Sequence, residues 1–379
     1  MTTASASSTN ARGETHAGET SLRLCVIPGD GIGPELVDSA LTVLTAACSA
    51  AGISLHITEE QAGAETFRKH GEALLPGALN RLRAADAVLK GPVGLPEVRA
   101  SDGTEAGLLG GLLRNGLDTF ANVRPIRLRP GIESALRRGP GSIDYVIVRE
   151  NTEGLYLSRG AGVRNHHAAS DQLLVTRAGT ERIVRFAFDL ARQRGGGLRD
   201  GVRRVTCVDK SNVLRSFAFF RGIFDEVAAE YPDVAADHIY ADAAAHALVV
   251  EPERFDVLVM ENFLGDILSD LGAATVGGLG MCPSGNIGAQ SAYFEPIHGS
   301  APSLKGRDLA NPLSQILSSA LLLRHCGYPA AASSIELAVE LALTDGRVRI
   351  LPTGSPHRGT IAATAAILDG LDVSQVGGS

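Results

Sequence analysis

The sequence predicts an α/β protein with a largely parallel or mixed sheet. Two observations carry the prediction. Short apolar runs alternate along the chain with longer segments whose apolar residues recur at helical spacing. Several of those apolar runs end in charged or amide residues, as in Arg149-Glu150-Asn151, Asp209-Lys210 and Glu261-Asn262. Ligands in such sheets gather at the carboxyl ends of strands.

The elements follow in order. "LRLCVI" reads as a first strand, and "ELVDSALTVLTAA" as the helix after it. Between them, "PGDGIGPE" has three glycines in five residues and invites comparison with a dinucleotide-binding turn. Its spacing is G-x-G-x-G, however, and Pro34 stands at the start of the helix, where proline is well tolerated. "ISLHITEE" is a second strand, "AETFRKHGE" and "LPGALNRLRAA" are helices, and "DAVLKGPVG" is a strand running into a glycine loop. "DYVIVREN" is a buried strand ending in charge, and "AGTERIVRFAFDLARQR" a long amphipathic helix. "RRVTCVDKSN" and "RSFAFFRGIFDEVAAEYP" repeat the strand–helix plan, and "FDVLVMENFLGDILSDLGAAT" repeats it again. "VGGLGMCPSGNIG", residues 276–288, reads as loop. "PLSQILSSALLLRHC" and "SIELAVELALTDG" are further helices. Residues 1–20 and the final "SQVGGS" are small and polar and read as disordered tails.

Composition narrows the function. The chain has 379 residues and a formal net charge of -7, so no global basic field attracts nucleic acid or anionic lipid. No apolar run reaches the roughly 18 residues a membrane span needs. The five cysteines are scattered, form no C-x-x-C pair and suit a reducing cytoplasm.

Candidate chemistry sits in a few places. Asp266 and Asp270 are four apart in "ENFLGDILSD" and share one face if that segment is helical. They are either two acids on a solvated face or ligands of a hard divalent ion such as Mg²⁺ or Mn²⁺. The apolar residues at 267, 268 and 271 give the segment a buried side. Arg114, Arg124 and Arg149 lie near strand ends or a glycine loop, and three guanidinium forks in one pocket suit a polycarboxylate. Lys210 is one of only four lysines and follows a strand and an aspartate, a place suited to a tuned amine. Tyr156, in "RENTEGLY", is one of six tyrosines. "EPIHGSAP" offers successive backbone N–H groups near Gly299 and Ser300, and His298 could stack on a flat ring.

Taken together, "PGDGIGPE", "FANVRP", "VRENTEGLY", "VDKSNVL", "ENFLGDILSD" and "EPIHGSAP" occur in one order over roughly Leu22 to Asp369. In that order they resemble the metal-dependent β-decarboxylating 3-hydroxyacid dehydrogenases, which include isocitrate, homoisocitrate, 3-isopropylmalate, tartrate and D-malate dehydrogenases. The resemblance implies the two-domain isocitrate/isopropylmalate dehydrogenase-like fold and not a Rossmann domain. One domain would combine residues 21–119 with 277–379 on the cofactor side. The other, 120–276, would carry the dimer contacts. The resemblance gives Arg114, Arg124 and Arg149 the substrate carboxylates, Tyr156 the protonation of the enol, and Lys210 the substrate hydroxyl. It gives Asp242, Asp266 and Asp270 the metal. It places Glu105, Asn212, Ile287, His298, Gly299, Ser300, Ala301 and Asn311 around a nicotinamide dinucleotide. Lys210 and Asp242 would come from a partner subunit, which implies a homodimer with shared active sites. The glycine turn at Gly29, Gly31 and Gly33 then becomes a close-packed wall of the cleft, with the cofactor loop at His298 to Pro302.

Two departures from the family pattern bear on specificity. Ser303 stands where NAD-using members carry an aspartate, yet the lysine–tyrosine pair of NADP-using isocitrate enzymes is also absent, so NAD is expected. Before Arg114 the chain reads "TEAGLLGGLLRNGLD", with either two extra residues or two glycines, Gly110 and Gly111, where isopropylmalate enzymes place leucines against the isopropyl group. A roomier pocket and the "RENTEGLY" style lead to an expected homoisocitrate- or isocitrate-like substrate. The alternatives are 3-isopropylmalate, tartrate or D-malate, an analogue such as a phosphonate, or a non-catalytic regulatory subunit.

Overall fold

A computed structural model describes residues 20–101 and 103–376. The expected N-terminal tail therefore lies outside the described residues, apart from Thr20. The elements are β1 (Ser21–Ile27), α1 (Gly33–Ala50), β2 (Ser54–Glu59), α2 (Ala64–His70), α3 (Ala78–Ala84), β3 (Ala87–Lys90), α4 (Gly110–Gly116), β4 (Ala121–Arg127) and β5 (Asp144–Glu150). Next come β6 (Val163–Arg164), β7 (Ala169–Ser170), α5 (Arg177–Gln193), β8 (Arg204–Asp209), α6 (Arg215–Ala228), β9 (Ala235–Tyr240), α7 (Ala241–Val250), β10 (Val257–Met260) and α8 (Asn262–Thr275). The chain ends with β11 (Pro283–Ile287), β12 (Ala292–Pro296), α9 (Leu313–His325), α10 (Pro329–Thr344) and α11 (Gly359–Val376).

Ten strands form one continuous mixed sheet in the order β2-β1-β3-β12-β11-β4-β5-β10-β8-β9. Pairing is parallel at both ends and antiparallel only at β12–β11–β4–β5 in the middle. The strands from β2 through β11 come from the first and last parts of the chain, and those from β4 through β9 from the part between. Helices α1, α9 and α10 cover one face of the β2-to-β11 half over Leu24, Leu89 and Phe294, and α8 covers the opposite face of the other half over Ile147 and Leu258, in one continuous core. The other face of the second half buries Val146, Val148, Phe188 and Phe224 beneath α5 and α6. Both faces are covered, which is why the strands read as continuous apolar runs.

Three expectations are corrected here. Residues 276–288 are not all loop: Pro283–Ile287 form β11, a central strand. Its glycine has a packing reason, because a Cβ on Gly285 would stand 2.9 Å from the Phe294 ring. Ile267 is 51% exposed, so the buried side of α8 is carried by Leu268 and its neighbours instead. At the C-terminus, residues 374–376 continue α11 where a tail was expected.

The glycine turn behaves as a wall. Gly29 and Gly31 have φ of +80° and +58°, in the left-handed region that favours glycine. A Cβ on Gly29 would stand 2.2 Å from Pro92 O, and one on Gly31 would stand 2.1 Å from Ser300 O. Asp30 is buried and accepts from the N–H groups of Ala64, Glu65 and Gly94 at 2.8–3.0 Å. Ile32 N donates to Ser300 O at 2.8 Å. The turn thus clamps three loops together, and the nearest candidate cofactor residue, Ser300, is its direct neighbour.

Candidate active site

Strand periodicity sets the site. Asn122 and Arg124 are two apart on β4 and share a face. Asn122 is opposite Arg149 of β5 on one side and Asn286 of β11 on the other. Helix α8 lies across this face. Glu261 caps it by accepting from the N–H groups of Phe263 and Leu264 at 3.0 and 3.2 Å. Its next turns bring Asn262, Asp266, Ser269 and Asp270 over the two arginines.

Arg149 is 1% exposed, donates from Nε to Asn262 Oδ1 at 2.9 Å and forms an ion pair with Asp266. Arg124 donates from Nη1 to Ser269 Oγ at 2.6 Å and to Asp270 Oδ1 at 3.2 Å. Tyr156, on a 3₁₀ turn at Leu155–Ser158, donates its O–H to Asp266 Oδ2 at 2.7 Å. Its ring packs edge-on against Phe263, at 5.9 Å between centroids. Arg114 comes from α4, and its Nε is buried without a hydrogen-bond partner.

Electrostatics follow from this crowding. Burial, with Arg114 and Arg124 nearby, pulls Arg149 down to about 9. Burial pushes Asp266 upward, but Arg149, the Tyr156 hydroxyl, Arg124 and Arg114 outweigh it and hold the carboxyl below its ordinary value. Burial pushes Asp270 up. Burial and then the Asp266 hydrogen bond push the Tyr156 phenol up to about 12, so it stays protonated.

Arg114, Arg149, Tyr156 and Asp266 line one cavity of about 610 Å³, with Gly110, Gly111, Leu108, Leu157 and Arg159 around it. Arg124 stands behind Asp266 and Asp270. Lys210 and Asp242 are elsewhere: they form an ion pair with each other, and the Asp242 side chain is 72% exposed. Among the described residues, no three His, Cys, Asp or Glu side chains converge on a point where a metal could sit. Asp266 and Asp270 are suitably hard oxygen donors for Mg²⁺ or Mn²⁺, but one chain brings only two such carboxylates together.

The candidate cofactor residues lie along a second wall. Ser300 donates its hydroxyl to Gly94 O, and Ala301 takes a left-handed conformation at φ +34°. Burial pushes the His298 imidazole down, and its Nδ1 is 3.0 Å from Gly299 O. A Cβ on Gly94 would stand 2.8 Å from Glu105 Oε1, which sets that carboxylate beside the same loop. Asn311 Oδ1 accepts from Leu313 N at the start of α9, and Ile287 ends β11 beside Ala121. Asn212 is in the turn between β8 and α6, beside Lys210. The sequence reading missed Lys90, Asn122, Asn151, Asn262, Ser269, Asn286 and Glu295, all of which touch this face of the sheet. Asn122 was within reach, since it shares period-2 spacing with Arg124 in "FANVRP".

Comparison with known proteins shows the family. A family model described as isocitrate/isopropylmalate dehydrogenase matches residues 23–352. The chain is similar to the 3-isopropylmalate dehydrogenase of Corynebacterium kroppenstedtii, 42% identical over 88% of this chain and 98% of that one. It is also similar to the 3-isopropylmalate dehydrogenase of Clavibacter michiganensis subsp. michiganensis, 44% identical over 85% and 91%. Among solved structures, isocitrate dehydrogenase from Methylococcus capsulatus superposes with a TM-score of 0.81 at 38% identity, covering 92% of this chain and 99% of that one.

Proposed function

The chain belongs to the isocitrate/isopropylmalate dehydrogenase family of decarboxylating oxidoreductases, and on that premise we propose that it oxidatively decarboxylates a 3-substituted malate with NAD and Mg²⁺ or Mn²⁺. The observation that carries this reading is the convergence of Arg114, Arg149, Tyr156 and Asp266 on one cavity. Among the described residues the lining carries three guanidiniums, Arg114, Arg149 and Arg159, and three carboxylates, Glu153, Asp171 and Asp266, of which Asp266 is ion-paired to Arg149.

In this reading Arg114, Arg124 and Arg149 bind the two malate carboxylates and fix the C2–C3 bond for reaction. His298 to Ala301 would hold NAD, which would supply the hydride acceptor for C2, and Asp266, Asp270 and the Asp242 of a second copy would hold a divalent ion, which would supply polarisation of the C2 oxygen. Lys210 of that second copy takes the hydroxyl proton. Loss of CO₂ leaves an enolate, and Tyr156 delivers the proton to C3. Its phenol is suited to that task because it is held protonated and points into the cavity. The homodimer has support in the exposed Val249, Val250 and Ile267 on α7 and α8. A reducing, cytoplasmic location has support in the five free cysteines. We also propose that residues 21–119 with 277–379 and residues 120–276 act as two domains about the cleft.

Which 3-substituent is accepted has two readings. The relatives' names favour 3-isopropylmalate and turn the preference away from the tricarboxylate expected from sequence. One observation favours a longer or anionic group: Gly110 and Gly111 leave the cavity side of α4 open, and Arg159 joins the lining without an ion-pair partner among the described residues. The test is a panel of 3-isopropylmalate, isocitrate, homoisocitrate, tartrate and D-malate, each with NAD⁺ and NADP⁺ and with Mg²⁺ or Mn²⁺. Reduction of NAD⁺ by at least one 3-substituted malate is expected. No turnover with any member of the panel would reject the enzymatic reading.

A further inference from the structure

Five neighbouring strands carry polar groups on the face that α8 covers: Lys90 on β3, Glu295 on β12, Asn286 on β11, Asn122 on β4 and Arg149 on β5. A buried sheet face is normally apolar, so a stripe of this kind needs a reason. Four of these groups join Arg124 in one hydrogen-bonded line. Lys90 Nζ donates to Glu295 Oε2, and Asn286 Nδ2 donates to Glu295 Oε1 at 3.0 Å. Asn286 Oδ1 accepts from Asn122 Nδ2 and from Asn151 Nδ2, each at 2.9 Å. Asn122 Oδ1 accepts from Arg124 Nε at 2.7 Å. Asn286 and Asn122 are 0% and 1% exposed, so water does not stand in for these partners.

The line has a direction. An ionised carboxylate only accepts and a guanidinium only donates. Asn286 must therefore turn its amide nitrogen to Glu295, and Asn122 must turn its amide oxygen to Arg124. Turning either amide around would set donor against donor or acceptor against acceptor. Glu295 is fully able to anchor the line. Burial pushes its carboxyl up, but Lys90, Arg114 and Arg124 outweigh that and hold it below its ordinary value. The consequence falls on Arg124. Its Nε is committed to Asn122 and its Nη1 to Ser269 and Asp270, while among the described residues Nη2 has only Asp266 Oδ1, at 3.8 Å.

We propose that Asn286 and Asn122 are positioning residues that fix the Arg124 guanidinium from the Glu295–Lys90 pair, so that its Nη2 edge is presented to a substrate carboxylate. The inference rests on the proposed role of Arg124 in binding substrate. It assigns a function to two buried amides and to a buried ion pair on the same face, in the other half of the sheet.

The test uses the full-length protein with two variants. Asn286→Leu removes all three side-chain bonds at similar size. It should raise KM for the best malate by roughly 10- to 100-fold, the range for a lost hydrogen bond to a charged group, with kcat changed by no more than about threefold. Asn286→Asp separates positioning from mere packing. Its neutral carboxyl can donate to Glu295 and accept from Asn122 and Asn151; its ionised form cannot donate. Glu295, Lys90, Arg114 and Arg124 are the charged groups that set its titration. KM of Asn286→Asp should match wild type at the acid end of the usable range and rise with pH relative to wild type. A second readout needs no turnover. In ¹⁵N-arginine-labelled protein the Arg124 Nε–H signal, assigned with Arg124→Lys, should be protected from exchange and lose that protection in Asn286→Leu. A folded Asn286→Leu protein with unchanged KM and unchanged Nε–H protection overturns the proposal. So does an Asn286→Asp protein whose KM differs from wild type by the same factor at every pH. If the wild type turns over no malate, the functional reading fails and the Nε–H signal alone decides the positioning.

Discussion

Replacing Gly111 with leucine tests whether α4 sets the size of the substrate. Glycine in a helix costs about 0.8–1.0 kcal/mol relative to alanine and is kept where packing or backbone geometry demands it. Gly116 on the same helix has such a demand, because its Cβ would stand 2.8 Å from Leu79. Gly111 has none: its φ is not in the left-handed region, and a Cβ there would meet no heavy atom within 4 Å. Gly110 is similar, with only Arg114 at 3.9 Å. Both line the cavity, so their lack of side chains serves space. Near the helix start the propensity gain is partial, so Gly111→Leu should stabilise the fold by roughly 0.5 kcal/mol and raise Tm by about 1 °C. Each methylene of lost room is worth about 1–3 kcal/mol of discrimination. The ratio of kcat/KM for homoisocitrate to that for 3-isopropylmalate should therefore fall by at least about tenfold. The assay is paired steady-state kinetics on the two acids, with thermal unfolding alongside. An unchanged ratio, or a lower Tm, would refute the claim that this space belongs to the substituent.

Further outcomes are expected elsewhere in the site. Tyr156→Phe removes a proton donor from a 40% exposed ring, so kcat should fall by about 10²- to 10⁴-fold with Tm nearly unchanged, checked by kinetics and calorimetry. Mixing Lys210→Met with Tyr156→Phe protein, unfolded and refolded together, should restore about one quarter of wild-type activity, since half the dimers then carry one intact site of two; no recovery would place both residues in one chain's site. Asp266 is held below the unfolded carboxylate value, so its stabilisation is present above that value and disappears as pH falls through its own. Denaturant titrations of wild type and Asp266→Asn should differ by a constant amount from neutrality to about pH 5 and converge below about pH 4. Burial raises the thiols of Cys25, Cys48 and Cys282, to about 11 for Cys48 and about 12 for Cys282. A thiol reagent near neutrality should label none of these in the native protein; only Cys326, partly exposed, should react slowly.

The fold class and most elements were legible because they rest on local signals. Helical spacing located α1, α5, α6 and α9, and charge-terminated apolar runs located β5, β8 and β10. What failed was non-local. β11 was hidden because proline and five glycines in residues 276–288 carry a turn signature, and the Phe294 ring across the sheet explains Gly285. The residues that line the cavity, Arg114, Arg149, Tyr156 and Asp266, were marked in the sequence by the motifs around them rather than by residue type, arginine being common in this chain. The site was not legible where common amides matter: Asn286 becomes informative only once β11 lies beside β4 and β12. Ile267 misled for a related reason. Its apolar side chain marks a surface, and a single chain's pattern does not distinguish a core from an interface.

Under the proposed function, the ion pairs of the site call for a second copy of the chain. Asp266 is held by Arg149 and Tyr156, and Asp270 by Arg124, so each carboxylate already answers a buried or half-buried partner. A carboxylate that turns to a divalent cation leaves its guanidinium without an anion, and an uncompensated buried cation is costly. A substrate carboxylate removes that cost. Cation and substrate should therefore bind cooperatively, each supplying the charge the other displaces. Two carboxylates still balance only the cation, and a malate hydroxyl must also lose its proton. Lys210 and Asp242 would meet both needs, yet in this chain they pair with each other, and they do not join the Arg114–Arg149–Tyr156–Asp266 cavity. A second copy that brings its own Lys210 and Asp242 against α8 would complete the charge balance. The exposed Ile267, one residue from Asp266, lies where such a copy would have to pack.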